Sequence, residues 1–283
     1  MKFGVNTFIW SAQYDATVRA MLPSIKEQGF DGVEVPLFRP SEFPAAQIRK
    51  DTEALGLART VCSVLLPGFS LIDDDASVRR QTQQHLRDTI LAASEGGVTL
   101  IAGPLYCPVG YLPGRRRTAE EWSRAVEGYQ NIADLLAQNN MTLAIEPLNR
   151  FETFFLNTAA DAAALCEEVG HPNVGILFDT FHANIEEKDI AQGYLTVGKY
   201  LKHVHTCEND RGIPGSGHVE WNAVFQALKD LNYDGWLTIE SFGFAIGELS
   251  AAAAIWRDIE RTPDSIAFEG IKFLKKNYRS KPT

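Results

Sequence analysis

The feature that most limits what this chain can become is an alternation running from one end to the other. Short β-rich runs are separated by longer stretches whose apolar residues recur at helical spacing. Such alternation builds βα units, and βα units assemble into a parallel sheet. The runs read as strands are Phe3–Asn6, Gly32–Val35, Ala58–Val64, Leu100–Gly103, Thr142–Glu146, Gly175–Asp179, Leu201–His205 and Trp236–Glu240. Between them, Val18, Met21, Leu22 and Ile25 share one helical face, and Val126, Tyr129, Ile132, Ala133 and Leu136 share another. Gly29, Gly56 and Gly170 stand where helices end on a left-handed residue.

Eight such units fit a closed barrel or an open, doubly wound sheet. An open dinucleotide-binding sheet carries a Gly-rich first turn. The turn here is Asn6-Thr7-Phe8-Ile9-Trp10. The expectation is therefore an α/β protein, a (β/α)₈ TIM barrel, with residues 1–283 as a single catalytic domain. The stretch Pro104 to Arg117 reads as a long loop after the fourth strand. Within it, Arg115-Arg116-Arg117 is expected to be a solvated face, with a phosphate contact or a subunit contact as alternatives.

The formal net charge is −9, which repels a phosphate backbone and argues against a nucleic-acid partner. No apolar run is long enough for a membrane span. The four cysteines, Cys62, Cys107, Cys166 and Cys207, form no CxxC pair and read as free thiols. Met1 to Asn6 enters a strand-like run without an apolar leader, so the expected location is the cytoplasm.

The chemistry is suggested by what ends the last four strands. Glu146, Asp179, His205 and Glu240 each close an apolar run. In a closed barrel, residues at the C-terminal ends of successive strands point into one mouth. Three carboxylates crowded there require a cation. Three oxygens and one imidazole favour a hard divalent ion, one per subunit: Mn²⁺ first, Co²⁺ or Mg²⁺ as alternatives. An octahedral ion would keep two positions for the carbonyl and α-hydroxyl oxygens of a substrate. Asn149, Arg150 and Glu152 follow the fifth strand, His182 follows Asp179, and Glu208 and Arg211 follow His205, all read as pocket residues.

Longer motifs carry a resemblance. Glu146-Pro147-Leu148-Asn149-Arg150-Phe151-Glu152, Asp179-Thr180-Phe181-His182-Ala183-Asn184-Ile185-Glu186-Glu187, His205-Thr206-Cys207-Glu208-Asn209-Asp210-Arg211, Pro214-Gly215-Ser216-Gly217, Glu240-Ser241-Phe242 and Trp256-Arg257-Asp258 resemble the D-tagatose/D-psicose (allulose) 3-epimerases. The resemblance implies a xylose-isomerase-like barrel and epimerisation at C3 of a free keto sugar. It implies Glu146, Asp179, His205 and Glu240 as ligands of Mn²⁺ or Co²⁺. Glu146 and Glu240 would be the acid/base pair on opposite faces of the sugar, working through an enediolate. Glu152, His182 and Arg211 would bind substrate near O1 and O2, and the assembly would be a homodimer or homotetramer. The chain departs from the pattern at Ser241 (often proline), Ala183 (methionine) and Cys207 (glycine), where pocket shape is expected to differ.

Other residues are weighed individually. His203 shares a strand face with His205 and is expected to be a buried hydrogen-bonded residue behind it. His85 is expected on a helix as a surface or packing residue. Phe8, Trp10, Leu65, Leu66 and Cys107 follow strands one, three and four, as an apolar wall for the far end of the sugar or as barrel packing. Phe8 and Cys107 are carried forward as substrate-binding candidates. Competing activities are aldose–ketose or hydroxypyruvate-type isomerisation, a non-catalytic sugar-binding barrel, and a metal-dependent AP endonuclease. The endonuclease needs histidines at strand ends two to four, where this chain has Glu34, Leu65 and Gly103.

Overall fold

A computed structural model describes residues 1–242, 251 and 253–279. Strands β1 Lys2–Asn6, β2 Gly32–Pro36, β3 Ala58–Cys62, β4 Leu100–Gly103, β5 Thr142–Ile145, β6 Val174–Asp179, β7 Leu201–His205 and β8 Trp236–Ile239 close into a parallel barrel in sequence order. Closure is by β1 against β8, with Phe3 opposite Leu237 and Val5 opposite Ile239. The strands lie within two residues of the expected bounds. The largest difference is at β3, where pairing stops at Cys62 and Val64 turns into the mouth of the barrel.

The helices form where apolar spacing places them. They are α1 Ala16–Glu27, α2 Ala45–Ala54, α3 Ala76–Glu95, α4 Ala119–Gln138, α5 Ala159–Val169, α6 Thr180–Glu186, α7 Ile190–Val197, α8 Trp221–Asp230 and α9 Pro263–Arg279. Val18, Leu22 and Ile25 of α1 are buried, as are Tyr129, Ile132, Ala133 and Leu136 of α4. A reciprocal capping box between Thr118 and Glu121 opens α4. Gly170 closes α5 at φ 67°, a left-handed conformation that a side chain would resist.

Strand alternation sorts side chains between two layers. Val33, Val35, Leu143, Ile145, Ile176, Phe178, Val204, Leu237 and Ile239 join the large core under the helices. Leu100, Ala102, Ala144 and Leu177 form a separate small cluster inside the ring. Glu146 stands two residues beyond Ala144, and Asp179 two beyond Leu177, so both carboxylates follow the inward register. The same register sends Asn6, Cys62 and Glu240 inward at their own strand ends, and Glu34 inward from the middle of β2.

The arginine triplet is not simply a solvated face. Arg115 pairs with Glu121 at 2.7 Å, and Arg117 bridges to Asp161 of α5 at 2.8 Å and to the Phe155 carbonyl at 2.9 Å. These pairs clasp the long loop to two helices, while Arg116 remains exposed. His85 stacks on Phe69 with ring centroids 4.4 Å apart, a packing role. Among the described residues, no helix is long and apolar enough to cross a membrane.

Candidate active site

The C-terminal ends of the strands open into a cleft of about 640 Å³, counting its open mouth. Phe8, Phe38, Cys62, Val64, Pro104, Val109, Leu148 and Phe242 give it an apolar wall, and Glu146, Glu152, His182, Arg211 and Glu240 give it a polar end. Such a division suits a ligand with one reacting end and one end that must be held without chemistry.

Four of the expected residues converge. Glu146, Asp179, His205 and Glu240 each offer a ligand atom, and these atoms all lie within 4.8 Å of one another. All four are buried. His205 Nδ1 is 3.4 Å from Glu240 Oε2 and 3.9 Å from Glu146 Oε1. Glu146 Oε1 and His205 Nδ1 are buried and have no hydrogen-bond partner. Buried polar atoms are rarely left so in folded proteins. A divalent cation between them would satisfy both, and the donor set matches one, so the residues fit a metal ion.

The charges respond to this crowding. Burial, then the Glu240 charge, pushes the Glu146 carboxyl well above the usual range. Burial likewise raises Asp179, against the pull of Arg211. For Glu240 burial also raises, but His205 and Arg211 outweigh it and hold the carboxyl below its usual value. Burial opposes the charged form of His205, yet the Glu240 and Glu34 carboxylates overcome it and raise the imidazole well above its usual value.

Arg211 lies 5 % exposed among these carboxylates. Its Nη1 donates to Asp179 Oδ2 at 2.8 Å, to Glu240 Oε2 at 2.9 Å and to Cys207 Sγ at 3.0 Å. The guanidinium stacks on the Phe181 ring, 3.9 Å from its centroid. Arg211 adopts φ 68°, and its carbonyl accepts a 2.6 Å hydrogen bond from the Ser241 hydroxyl. Ser241 and Cys207, both departures from the resembled pattern, therefore grip the arginine from two sides.

His182 and Glu152 form a second polar group. Asn149 donates its backbone N–H to His182 Nδ1 at 3.1 Å, and the other ring nitrogen, Nε2, lies 3.3 Å from Arg211 Nη2 and 3.6 Å from Glu146 Oε1. Burial, then Arg211 and His205, holds His182 well below its usual value and keeps it neutral. Asn149 Nδ2 donates to Glu152 Oε1 at 2.9 Å, and burial raises Glu152. Arg150 turns away to pair with Glu186 at 3.0 Å.

Three expectations are corrected. Cys107 does not line the cleft: it is 1 % exposed and packs in the core, because the chain after β4 folds back and offers Pro104 and Val109 instead. Glu208 does not face the cleft either, because its carboxylate is used up within its own loop, by the Gly215 and Val219 backbone N–H groups among others. Trp10, with Leu65 and Leu66, is also absent from the lining; its indole donates to Asp264 at 2.6 Å. Phe8 does line the cleft, stacked between Phe38 and Phe242.

Two residues escaped the sequence reading. Asn6 donates to Glu34 Oε1 at 3.0 Å and lies 3.4 Å from Glu240 Oε1. Glu34 receives His205 Nε2 at 2.7 Å and Thr60 Oγ1 at 2.9 Å. His203 Nε2, buried behind His205 as expected, lies 2.8 Å from Glu34 Oε2. The available signal was the inward register of a carboxylate in the middle of β2 and an amide ending β1.

Comparison with known proteins agrees with this geometry. The model of the xylose isomerase-like TIM barrel family matches residues 22–277. A probable ketose 3-epimerase of Synechocystis sp. is 36 % identical over 280 residues, covering 99 % of this chain and 98 % of that one. D-psicose 3-epimerase of Agrobacterium fabrum is 33 % identical over 269 residues, covering 93 % of each. The crystal structure of D-allulose 3-epimerase from Methylomonas sp. in complex with D-allulose superposes with a TM-score of 0.93 at 28 % identity, covering 98 % of this chain and 97 % of that one. With this likeness over the whole barrel and a buried cluster of ligand atoms at its mouth, the chain belongs to the xylose isomerase-like TIM barrel family and, within it, to the ketose 3-epimerases, isomerases that act on sugars.

Proposed function

We propose that the whole chain works as one catalytic barrel that inverts C3 of a free keto sugar of the D-tagatose, D-psicose/D-fructose or L-ribulose type. The observation that carries this reading is the pair of buried carboxylates, Glu146 and Glu240, lining one cleft with ligand atoms no more than 4.8 Å apart. Glu146, Asp179, His205 and Glu240 would hold one divalent cation, Mn²⁺ first, with Co²⁺ or Mg²⁺ as alternatives. Lewis-acid polarisation of the keto group is what such a cation supplies.

The remaining work falls to side chains. One glutamate removes the C3 proton and the other returns a proton to the opposite face of the enediolate. His182 and Arg211 bind the O1 and O2 oxygens, and Glu152 accepts from a hydroxyl. The apolar wall with Phe8 and Phe242 excludes water from the far end. Arg211 is the one cationic side chain among the described lining residues, and it is engaged by carboxylates, which favours an uncharged sugar over a sugar phosphate.

The test is turnover of ketoses in deuterated buffer. Deuterium is expected at C3 of substrate and product, and a product panel separates epimers from aldoses. A metal-loaded enzyme that neither epimerises a ketose nor exchanges its C3 proton would rule the reading out. The homodimer or homotetramer that accompanies this reading is checked by light scattering.

A further inference from the structure

The metal-type cluster on β5 to β8 has a partner on the opposite side of the ring. Glu34, the central residue of β2, is 0 % exposed and lies 171 positions from His205 in the chain. Its carboxylate is held by three hydrogen bonds, Asn6 Nδ2 at 3.0 Å and His205 Nε2 at 2.7 Å on Oε1 and Thr60 Oγ1 at 2.9 Å on Oε2, with His203 Nε2 2.8 Å from Oε2 beside them. An ionised carboxylate only accepts, so the 2.7 Å contact fixes a proton on His205 Nε2. In the neutral ring that a cation would bind, the other nitrogen, Nδ1, then carries the lone pair. It is the atom left without a partner, and it faces Glu146 and Glu240.

We propose that Glu34 is the positioning residue for His205: it accepts a hydrogen bond from Nε2–H, aims Nδ1 at the three carboxylates, and strengthens Nδ1 as a donor to a divalent cation. This rests on the metal-site reading above. The physical reason is general. An imidazole that hydrogen-bonds a carboxylate through one nitrogen is fixed in tautomer and ring orientation and is more electron-rich at the other. Asn6 and Thr60 hold the carboxylate in place, so Glu34 cannot swing toward the cleft. Asn6, 3.4 Å from Glu240 Oε1, also links the anchor to the opposite carboxylate.

The test uses the full chain and two variants, Glu34→Gln and Glu34→Ala, titrated with Mn²⁺ by calorimetry and with Co²⁺ by visible absorption. Gln keeps the size and can still accept from His205 Nε2, but it removes the negative charge. Glu34→Gln is expected to raise the Mn²⁺ Kd about 10-fold, and Glu34→Ala towards 100-fold. The Co²⁺ band is expected to shift in both, because the donor strength of a ligand has changed. A packing defect elsewhere would leave that band in place for the molecules that still bind. Should Glu34→Ala not fold, Glu34→Gln alone decides. Folded Glu34→Gln with the wild-type Kd and the wild-type Co²⁺ spectrum overturns the proposal. Wild-type chain that binds neither ion overturns the metal-site reading itself, a distinguishable result.

Discussion

The indole N–H of Trp221 donates to Glu208 Oε2 at 2.9 Å, and Gly215 N–H donates to the same oxygen at 2.7 Å. Oε1 accepts from Val219 N–H at 2.9 Å and from Asn209 N–H at 3.1 Å. One buried carboxylate thus closes the whole β7–α8 loop. Arg211 sits inside that loop, its N–H donating to the Glu208 carbonyl at 3.0 Å. In Glu208→Gln an amide NH₂ must face two N–H donors. The expected loss of stability is about 2–4 kcal/mol, since hydrogen bonds to a charged group are lost and buried donors are stranded. Urea denaturation measures it, and an unchanged midpoint would contradict the loop-closing role.

Glu146→Gln and Glu240→Gln should each lower turnover by at least ~10²-fold, since each removes a proton-transfer group. The check is kcat on a ketose together with deuterium entry at C3. Wild-type turnover in either variant would take that residue out of the chemistry.

Arg211→Ala should act mainly on substrate affinity. Loss of charged hydrogen bonds of about 1.5–3 kcal/mol corresponds to a KM rise of roughly 10- to 150-fold. Steady-state kinetics on the variant decides this, and an unaltered KM would refute the substrate contact.

Removal of divalent ions should abolish activity and lower Tm. A ligand that binds only the folded state at 100 times its Kd stabilises by about 2.7 kcal/mol. For a chain of this length that is about 4–5 °C. Melting curves with chelator, then with Mn²⁺ restored, test it. A Tm indifferent to both would count against a resident ion.

Gly103 at the end of β4 has φ 135°, and a Cβ built there would fall on the Ser63 carbonyl oxygen. Gly103→Ala should therefore cost at least ~3 kcal/mol, from backbone strain plus a clash with main chain that cannot rotate away. Thermal or urea unfolding measures it.

Much of this was readable from the chain, for a local reason. Strands β5, β6 and β8 are short, mostly apolar runs, and on all four strands the inward-facing residue at the end is fixed by a period of two. Glu146, Asp179, His205 and Glu240 were therefore legible from their own neighbourhoods. Glu34 and Asn6 obey the same rule, but their contacts to His205 and Glu240 are set only by ring closure. Glu208 shows the opposite failure. Adjacency to His205 suggested the cleft, while N–H donors of Asn209, Gly215, Val219 and Trp221 hold the carboxylate back in its own loop. Cys107 was placed by counting from β4, and the fold-back beginning at Gly103 is invisible to that count.

The barrel mouth is unevenly furnished. Strands β5 to β8, with Glu34 reaching across, supply the charged groups, while the loops after β1 to β4 supply Phe8, Phe38, Val64, Pro104 and Val109. Under the proposed function, sugar preference and reaction chemistry would fall largely on separate arcs of one circle, with Leu148 and Phe242 bringing apolar surface to the charged arc. Evolution, or a protein engineer, can rewrite the first arc to accept a longer, shorter or differently configured sugar tail and leave the proton-moving arc untouched.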